Sequence, residues 1–257
     1  MSEYADHPVG KDMAMHRFFA DKSQITSDII EIVGDDVKHI SKVLRLREGE
    51  NVSVCDKEKT DYLCSVQAIE KDRVILGILD KIPNTNESNI SVTLYQGLPK
   101  GDKLDLIIQK SVELGAVRIV PVVMKRTVVK VGNVSSKLQR WQRIADEASK
   151  QCMRGILPVV EEPITYEEML GRISEDELSI LPYENETCNK LKQLLKDNTS
   201  CQRVNIIIGP EGGFDDEEID LAVKKGIPTV TLGPRIMRCE TAPLATISAV
   251  MYELGDW

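Results

Sequence analysis

Hydrophobic and polar positions change their pattern part-way along the chain. From Ile90 onward, short apolar runs alternate with amphipathic segments, which is typical of parallel strands connected by helices. The predicted strands are 91–96, 117–123, 158–160, 178–181, 204–208 and 229–232. The predicted helices are roughly 102–114, 136–153, 166–172, 189–196, 216–225 and 242–254. The second part of the chain is therefore predicted to be an α/β domain with a largely parallel sheet.

Short strands dominate the first part of the chain. The predicted strands are 51–55, 62–66 and 73–78. One short helix, over about 35–43, interrupts them. This pattern predicts a small β-barrel of a kind that often binds RNA.

A polar segment separates the two patterns. Residues 83–89 carry no apolar side chain, which is typical of a domain boundary. We therefore predict one domain over 15–83 and a second over 90–257. Residues 1–14 are polar, and we predict that they form a flexible extension.

Capping residues mark several predicted helix ends. Asp102 is a favourable N-cap for helix 102–114, and Gly115 stands where a left-handed residue closes it. Asp215 is the predicted N-cap of helix 216–225, with Glu218 as its capping-box partner. The consecutive carboxylates 215–218 also complement the positive end of the helix dipole.

Two predicted strands end in Gly-Pro turns that lead into helices. The first turn is 209–213 and the second begins at Gly233. Gly-rich turns at the carboxyl ends of parallel strands are where open α/β sheets hold ligands. The carboxylates 215–218 would repel a phosphate, so the first turn favours a ligand that is neutral or cationic. A plain tight turn is the alternative for this loop alone. Arg235, Arg238 and Glu240 crowd the second turn, and they favour a ligand site.

The composition is that of an ordinary globular chain of 257 residues, 42% hydrophobic and 29% charged. No apolar run reaches the length of a membrane span, and we expect no signal peptide. The six cysteines lack CxxC spacing and lie apart from the three histidines. We therefore expect no metal site and no disulfide framework, which favours a reducing cytoplasm.

Charge is distributed unevenly along the chain. The formal net charge is −8, yet residues 100–154 carry 12 basic and 5 acidic side chains. A polyanion such as RNA binds to a local basic face, and its binding does not depend on the net charge of the whole chain. The alternative is that these cations form ordinary solvated helix faces.

The residues resemble a known family. The second half resembles the SPOUT methyltransferases, and the chain from Met15 onward resembles the small-subunit ribosomal RNA methyltransferase E family. The matching segments, in the family's order, are 16–19, His39 with 43–46, 100–103, 109–115, 147–154 and the two Gly-Pro turns. Pro243 departs from the small residue usual in the family, but the first turn of a helix tolerates proline.

The resemblance implies a fold and a cofactor. The fold is a SPOUT trefoil-knot domain with a parallel sheet, preceded by a small PUA-like β-barrel. The cofactor is S-adenosylmethionine, bent between loops around 181–184, 209–213 and 232–239, with no metal. Its implied contacts are Leu181, Tyr183, Gly209, Glu211, Gly212, Gly213, Leu232, Gly233, Arg235, Ile236 and Met237. Glu211 is assigned either to the cofactor's ribose or amino group, or to backbone N–H groups of its own turn.

The implied reaction is methylation of N3 of a uridine in 16S ribosomal RNA. The imide nitrogen must lose its proton, and an arginine would stabilise the anion that spreads onto the flanking carbonyl oxygens. The candidates are Arg126, Arg154 and Arg238, each with a phosphate contact or simple solvation as the alternative. Glu240 is predicted to orient Arg238 or to serve as base, and no general base is assigned.

The implied RNA contacts lie in both domains. They are Arg17, His39, Arg45, Lys100, Lys103 and Gln151. Gln151 and Arg154 are three apart, so we predict that one helix face presents both to the substrate. For His39 and Arg45 the alternative is a buried histidine and a solvated arginine.

The resemblance also implies partners. These are 16S ribosomal RNA or the assembled small subunit, and a second copy of the chain in a homodimer. Three other activities remain open: ribose 2′-O-methylation, guanine N1-methylation, and RNA binding without catalysis. The two Gly-rich turns favour an enzyme over a binding protein, and residues 238–241 (RCET) lack the Ser-Leu-Asn type of motif found in ribose methylases.

Overall fold

A computed structural model describes residues 15–129 and 134–257. The chain separates into two compact units between Thr85 and Asn86, inside the polar segment 83–89. The predicted extension 1–14 lies outside the described residues.

The N-terminal unit is built on a five-stranded sheet. Its strands are β1 (Arg17–Phe19), β2 (Ile29–Val33), β3 (Asn51–Cys55), β4 (Thr60–Ile69) and β5 (Arg73–Pro83). The strand order is β1-β3-β4-β5-β2, and β1 and β3 form its parallel pair. The three predicted strands are confirmed as β3, β4 and β5. β4 and β5 run beyond their apolar patterns because their antiparallel pairing continues from Thr60–Pro83 to Ile69–Val74.

The predicted helix over 35–43 is confirmed, but its second half has an unusual form. α1 (Asp35–Lys38) continues into a π-helical segment, His39–Leu44. Arg45 ends the segment in the left-handed conformation, with φ of 54°. Ile40 is fully buried in the core of this unit, against residues such as Phe18 and Leu76.

The C-terminal unit contains a seven-stranded parallel sheet. Its strands are β6 (Ser91–Gly97), β7 (Ala116–Val123), β8 (Val159–Val160), β9 (Ile164–Thr165), β10 (Leu178–Pro182), β11 (Arg203–Ile208) and β12 (Thr229–Val230). The order is β12-β10-β11-β6-β7-β8, with β9 also pairing with β7. All six predicted strands are confirmed. β9 was not predicted, because Ile164 is a single apolar residue between Pro163 and Thr165 and forms no apolar run.

Helices cover both faces of the parallel sheet. They are α2 (Lys103–Glu113), α3 (Val134–Gln151), α4 (Tyr166–Arg172), α5 (Leu191–Asp197), α6 (Asp216–Lys224) and α7 (Thr241–Leu254). Leu94 of β6 packs in the core that α2, α3, α5 and α7 share. Its neighbour Tyr95 packs in the other core, with α4 and α6. Successive side chains of a strand point to opposite faces, so a doubly covered strand is apolar throughout.

Two of the three predicted caps are confirmed. Asp215 accepts a hydrogen bond from the Glu217 N–H group, and the Glu218 carboxylate accepts one from the Asp215 N–H group at 2.9 Å. Gly115 closes α2 with φ of 100°. Asp102 occupies the N-cap position of α2, but its side chain makes no capping hydrogen bond and instead lies 3.5 Å from Arg140.

Candidate functional site

A cavity of about 770 Å³ opens at the carboxyl edge of the parallel sheet. Its walls come from three segments: 182–190 after β10, 208–214 at the end of β11, and 231–242 between β12 and α7. The three strands are adjacent and parallel, so their carboxyl ends meet at one edge. Lys103, in the first turn of α2, also lines the cavity.

A second cavity, of about 890 Å³, lies at the opposite edge of the sheet. It is lined by residues 173–179, 198–203 and 224–228, which include the amino ends of β10 and β11. Ligands of open α/β sheets bind outside the carboxyl ends of the strands. We therefore take the first cavity as the functional site, although the second is slightly larger.

Glycines allow the chain to approach itself closely around the first turn. Gly213 has φ of 68°, and a Cβ atom there would lie 2.5 Å from Glu184 Oε1. A Cβ atom on Gly97, at the end of β6, would lie 2.6 Å from the backbone nitrogen of Pro210. Gly97 therefore lets β6 pass beside the turn. Sequence reasoning missed it because a lone glycine at a strand end carries no motif.

A charged network joins the first turn to α2. Glu211 Oε1 accepts hydrogen bonds from the Lys100 N–H group at 3.0 Å and from Lys103 Nζ at 2.9 Å. Burial raises the pKa of Glu211, but the hydrogen bonds from Lys103 and Lys100 outweigh it and the pKa lies below its usual range. Glu211 is therefore a carboxylate held at a fixed place on the cavity wall.

The second turn ends in a buried thiol and a carboxylate. Cys239 Sγ donates to Glu240 Oε2 at 3.2 Å, and Lys103 Nζ lies 3.6 Å from the same oxygen. Burial, with the hydrogen bond to Glu240, raises the pKa of Cys239 to about 12, so the group is a neutral thiol. The bond from Cys239 lowers the pKa of Glu240. The partners of Glu240 in the described residues are Cys239 and Lys103, and its orientation of Arg238 stays a prediction.

Glu186 holds the loop that follows β10. Its carboxylate accepts hydrogen bonds from the Thr229 hydroxyl at 2.7 Å and from the N–H groups of Cys188 and Asn189 at 2.7 and 3.1 Å. These bonds, the one from Thr229 first, lower the pKa of Glu186 to about 2. Sequence reasoning missed this residue, because an acidic side chain in a polar loop has no distinguishing pattern.

Comparison with known proteins identifies the family. Residues 86–251 match the model of the RNA methyltransferase domain, and residues 32–79 match the RNA methyltransferase PUA domain. The ribosomal RNA small subunit methyltransferase E of Bacillus subtilis is 33% identical over 93% of this chain and 97% of its own length. The Synechocystis protein of that name is 32% identical over 92% of this chain and 78% of its own.

The chain belongs to the ribosomal RNA small subunit methyltransferase E family. Solved structures agree with this. A methyltransferase E of Neisseria gonorrhoeae, bound to S-adenosyl methionine, has a TM-score of 0.86 at 33% identity over 95% of this chain and 99% of its own. A putative methyltransferase of Legionella pneumophila, in complex with the same cofactor, has a TM-score of 0.81 at 26% identity, with 95% and 100% covered. The α/β methyltransferase fold and the PUA-like domain are thus confirmed, and the trefoil knot stays a prediction.

In this methyltransferase E chain, most residues of the implied cofactor set line the cavity. They are Tyr183, Gly209, Glu211, Gly213, Leu232, Gly233, Arg235, Ile236 and Met237. Gly212 belongs to the same turn but does not line the cavity, and a Cβ atom there would lie 3.1 Å from Arg126 Cβ. Leu181 is fully buried in the core shared with α4 and α6, so its side chain does not reach the cavity. Sequence reasoning missed several lining residues, among them Glu186, Thr187, Lys190, Ile208, Phe214 and Thr231.

The predicted catalytic arginines lie in three different settings. Arg238 is exposed and lines the cavity, and its side chain forms no ion pair within the described residues. Arg126 lies beside the first turn, where its Nη1 donates to the Gly212 carbonyl at 3.1 Å. Arg154 is 4% exposed and lies away from the cavity.

Arg154 is part of a buried ion pair, which corrects its predicted role. Its Nε and Nη2 donate to the two oxygens of Glu87 at 2.9 and 2.8 Å, and its Nη1 donates to the carbonyls of Val112 and Ala116. A guanidinium so committed cannot turn towards a substrate. α3 ends at Gln151, so the predicted helix face shared by Gln151 and Arg154 does not exist. Gln151 itself is exposed.

The predicted RNA contacts in the PUA-like domain differ in exposure. The Arg17 side chain is 2% exposed and forms a 2.7 Å ion pair with Asp61, so the prediction that it reaches RNA is wrong. His39 and Arg45 are exposed, and the alternative of a buried histidine is therefore wrong as well. The His39 ring lies edge-on to Phe18, with centroids 6.4 Å apart.

Carboxylates pair with many cations of the basic segment 100–154; the partners of Lys110 and Arg140 lie within the segment, and the partners of the other paired cations lie outside it. The cations with an acidic partner are Lys103, Lys110, Arg118, Lys125, Arg126, Arg140 and Arg154. Lys100, Lys137 and Arg143 are exposed and form no ion pair with any of the described residues. The segment therefore presents less positive charge at the surface than its excess of basic over acidic residues suggests.

Two further observations hold over 15–129 and 134–257. No helix there is long and apolar enough to cross a membrane. Nor does that part of the chain bring together three or more metal-ligand side chains.

Proposed function

We propose that this chain transfers a methyl group from S-adenosylmethionine to N3 of a uridine in 16S ribosomal RNA. The observation that carries the proposal is the cavity formed where β10, β11 and β12 end, in a domain that belongs to an RNA methyltransferase family. The accompanying PUA-like domain supports RNA as the substrate class.

The chemistry of the cavity wall fits this cofactor. Its volume of about 770 Å³ lies in the range of small-molecule sites. The wall carries carboxylates (Glu184, Glu186, Glu211 and Glu240) beside cations (Lys103, Lys190, Arg235 and Arg238), which suits a ligand that bears charges of both signs, as S-adenosylmethionine does with its sulfonium and its carboxylate. Gly209 and Gly233 leave the main chain open to an adenine and a ribose. When bound, the cofactor supplies an electrophilic methyl group.

Positioning and charge stabilisation are the contributions expected of the protein. A displacement requires in-line alignment, and holding both reactants at one place supplies much of the rate. We assign Arg238 to the uracil anion, because it is exposed at the cavity and forms no ion pair with an acidic side chain of the described residues. Arg126 is the second candidate, although it already donates to Gly212 and lies 3.7 Å from Asp215. Glu240 is a poor base, because its pKa is lowered.

The partners and compartment follow from the same proposal. The substrate is 16S ribosomal RNA, free or in the assembled small subunit, so the chain works in the cytoplasm. We also propose that it acts as a homodimer, as SPOUT enzymes do where a site forms across two subunits. Sedimentation at micromolar concentration tests the dimer independently of activity.

The decisive experiment uses labelled S-adenosylmethionine. Small subunits from a strain lacking the modification are incubated with the protein, and the RNA is mapped by mass. One added methyl group on a uracil base is expected. A methyl group on ribose or guanine would contradict methylation at uridine N3. It would instead assign the chain one of the other methylation activities of the SPOUT superfamily. If calorimetric titration detects no cofactor binding, the protein is an RNA-binding member without catalysis.

A further inference from the structure

Lys103 lies between carboxylates from both Gly-rich turns. Its Nζ is 2.9 Å from Glu211 Oε1, on the turn after β11, and 3.6 Å from Glu240 Oε2, at the end of the turn after β12. Glu211 lies in the turn after β11 and Glu240 in the turn after β12, whereas Lys103 belongs to the first turn of α2. One ammonium group therefore links three separate parts of the cavity wall.

The two carboxylates would oppose each other without this lysine. Both lie within 3.6 Å of one nitrogen atom, and like charges that close repel strongly where solvent is partly excluded. The side chains are partly shielded, with exposures of 33% for Lys103, 28% for Glu211 and 21% for Glu240. The hydrogen bond to Glu211 raises the pKa of Lys103, so the ammonium form persists across the neutral range.

The same contacts disfavour the role in RNA binding that the sequence predicted for Lys103. An ammonium group directed at two carboxylates of its own chain offers little attraction to a phosphate. Lys100 differs, because its side chain is exposed and only its backbone N–H group bonds to Glu211. The two lysines of the 100–103 segment thus have separate tasks.

We propose that Lys103, Glu211 and Glu240 form a clamp that fixes the two Gly-rich turns at the spacing the cofactor requires, with Lys103 as a positioning residue. The cofactor part of this inference rests on the proposed function. The turns themselves are held by the clamp whether or not a ligand is bound.

The test compares Lys103→Met with Lys110→Met. Lys110 is a matched control, because it lies on the same helix and forms a comparable ion pair, 2.8 Å from Glu113, away from the cavity. Hydrogen exchange on the ligand-free protein should accelerate in both 209–215 and 232–240 for K103M and in neither for K110M. Binding of S-adenosylmethionine should weaken roughly fivefold in K103M, as expected for losing a partly exposed charge pair. K103R keeps the positive charge and should recover most of the lost affinity for S-adenosylmethionine.

Substrate kinetics separate positioning from RNA contact. In K103M the KM for the cofactor should rise while the KM for RNA stays unchanged at saturating cofactor. Unchanged exchange in K103M, or acceleration in one turn alone, would overturn the clamp. A raised RNA KM with normal exchange would overturn it too, in favour of a phosphate contact. If the unmodified protein binds no S-adenosylmethionine, the proposed function fails, while the exchange of the two turns still decides the clamp.

Discussion

Arg154 and Glu87 form a two-pronged ion pair at 2.8 and 2.9 Å, and neither side chain is more than 5% exposed. Glu87 also accepts the Gly155 N–H group at 2.8 Å, so the pair joins the segment before β6 to the segment after α3. The contact is structural, and it removes from the active site an arginine that the sequence had placed there.

Loss of Arg154 should affect stability and leave cofactor binding intact. Arg154→Ala leaves the Glu87 carboxylate buried without its partner, which costs about 3–5 kcal/mol of unfolding free energy. Arg118→Ala, which removes an exposed partner of Glu161, should cost less than about 1 kcal/mol. Urea titration measures both. An R154A protein as stable as the parent but unable to transfer methyl groups would restore the catalytic assignment.

Alanine substitutions at Gly233 and Gly226 should separate the effect of backbone strain on stability from the effect of the cavity wall on cofactor binding. Both have positive φ, 110° and 83°, and a Cβ atom on either would meet nothing within 4 Å. Alanine at each position should cost about 1–2 kcal/mol through the left-handed backbone. Only Gly233→Ala should also weaken S-adenosylmethionine binding, because Gly226 lies between α6 and β12, outside the cavity. Thermal unfolding and calorimetric titration give the two readouts. Equal loss of cofactor binding in both variants would contradict the location of the site.

Glu186 should give the loop 183–190 a pH-dependent stability. Its pKa falls from 4.5 to about 2 on folding, so its contribution is complete above pH 4.5 and is lost as the pH falls from there towards 2. The stability difference between the parent and Glu186→Gln should therefore be constant above about pH 5 and shrink in acid. Glu175→Gln, at an exposed carboxylate before β10, serves as the control. A difference that does not narrow in acid would refute the role of Glu186.

The salt dependence of RNA binding should distinguish cations without an acidic partner from cations in ion pairs. Lys100→Ala removes an exposed charge and keeps the N–H group that Glu211 accepts, so RNA affinity should fall and the slope of log K against log salt should decrease by about one. Arg118→Ala removes a charge already neutralised by Glu161, and its slope should match that of the parent. Filter binding at several salt concentrations measures both. If R118A lowers the slope as K100A does, the ion pair between Arg118 and Glu161 does not persist when RNA is bound.

Local chemistry was predictable from the sequence, and long-range pairing was not. The capping box of Asp215 and Glu218 depends on residues three apart, and it was predicted with its partners. The pairing of Arg154 was missed because arginine is seldom buried and because Glu87 lies in a polar segment that resembles a linker. The cavity could be placed at the strand ends, but its individual contacts needed the strand order, which periodicity does not encode.

The contact between Lys103 and Glu211 spans 108 residues of sequence. It can form only after β6 and β11 have paired, and such distant parallel pairing is slow to reach during folding. The ability to hold a cofactor should therefore appear late in refolding, after most of the secondary structure. A bound cofactor would then report that the whole C-terminal unit has reached its native state.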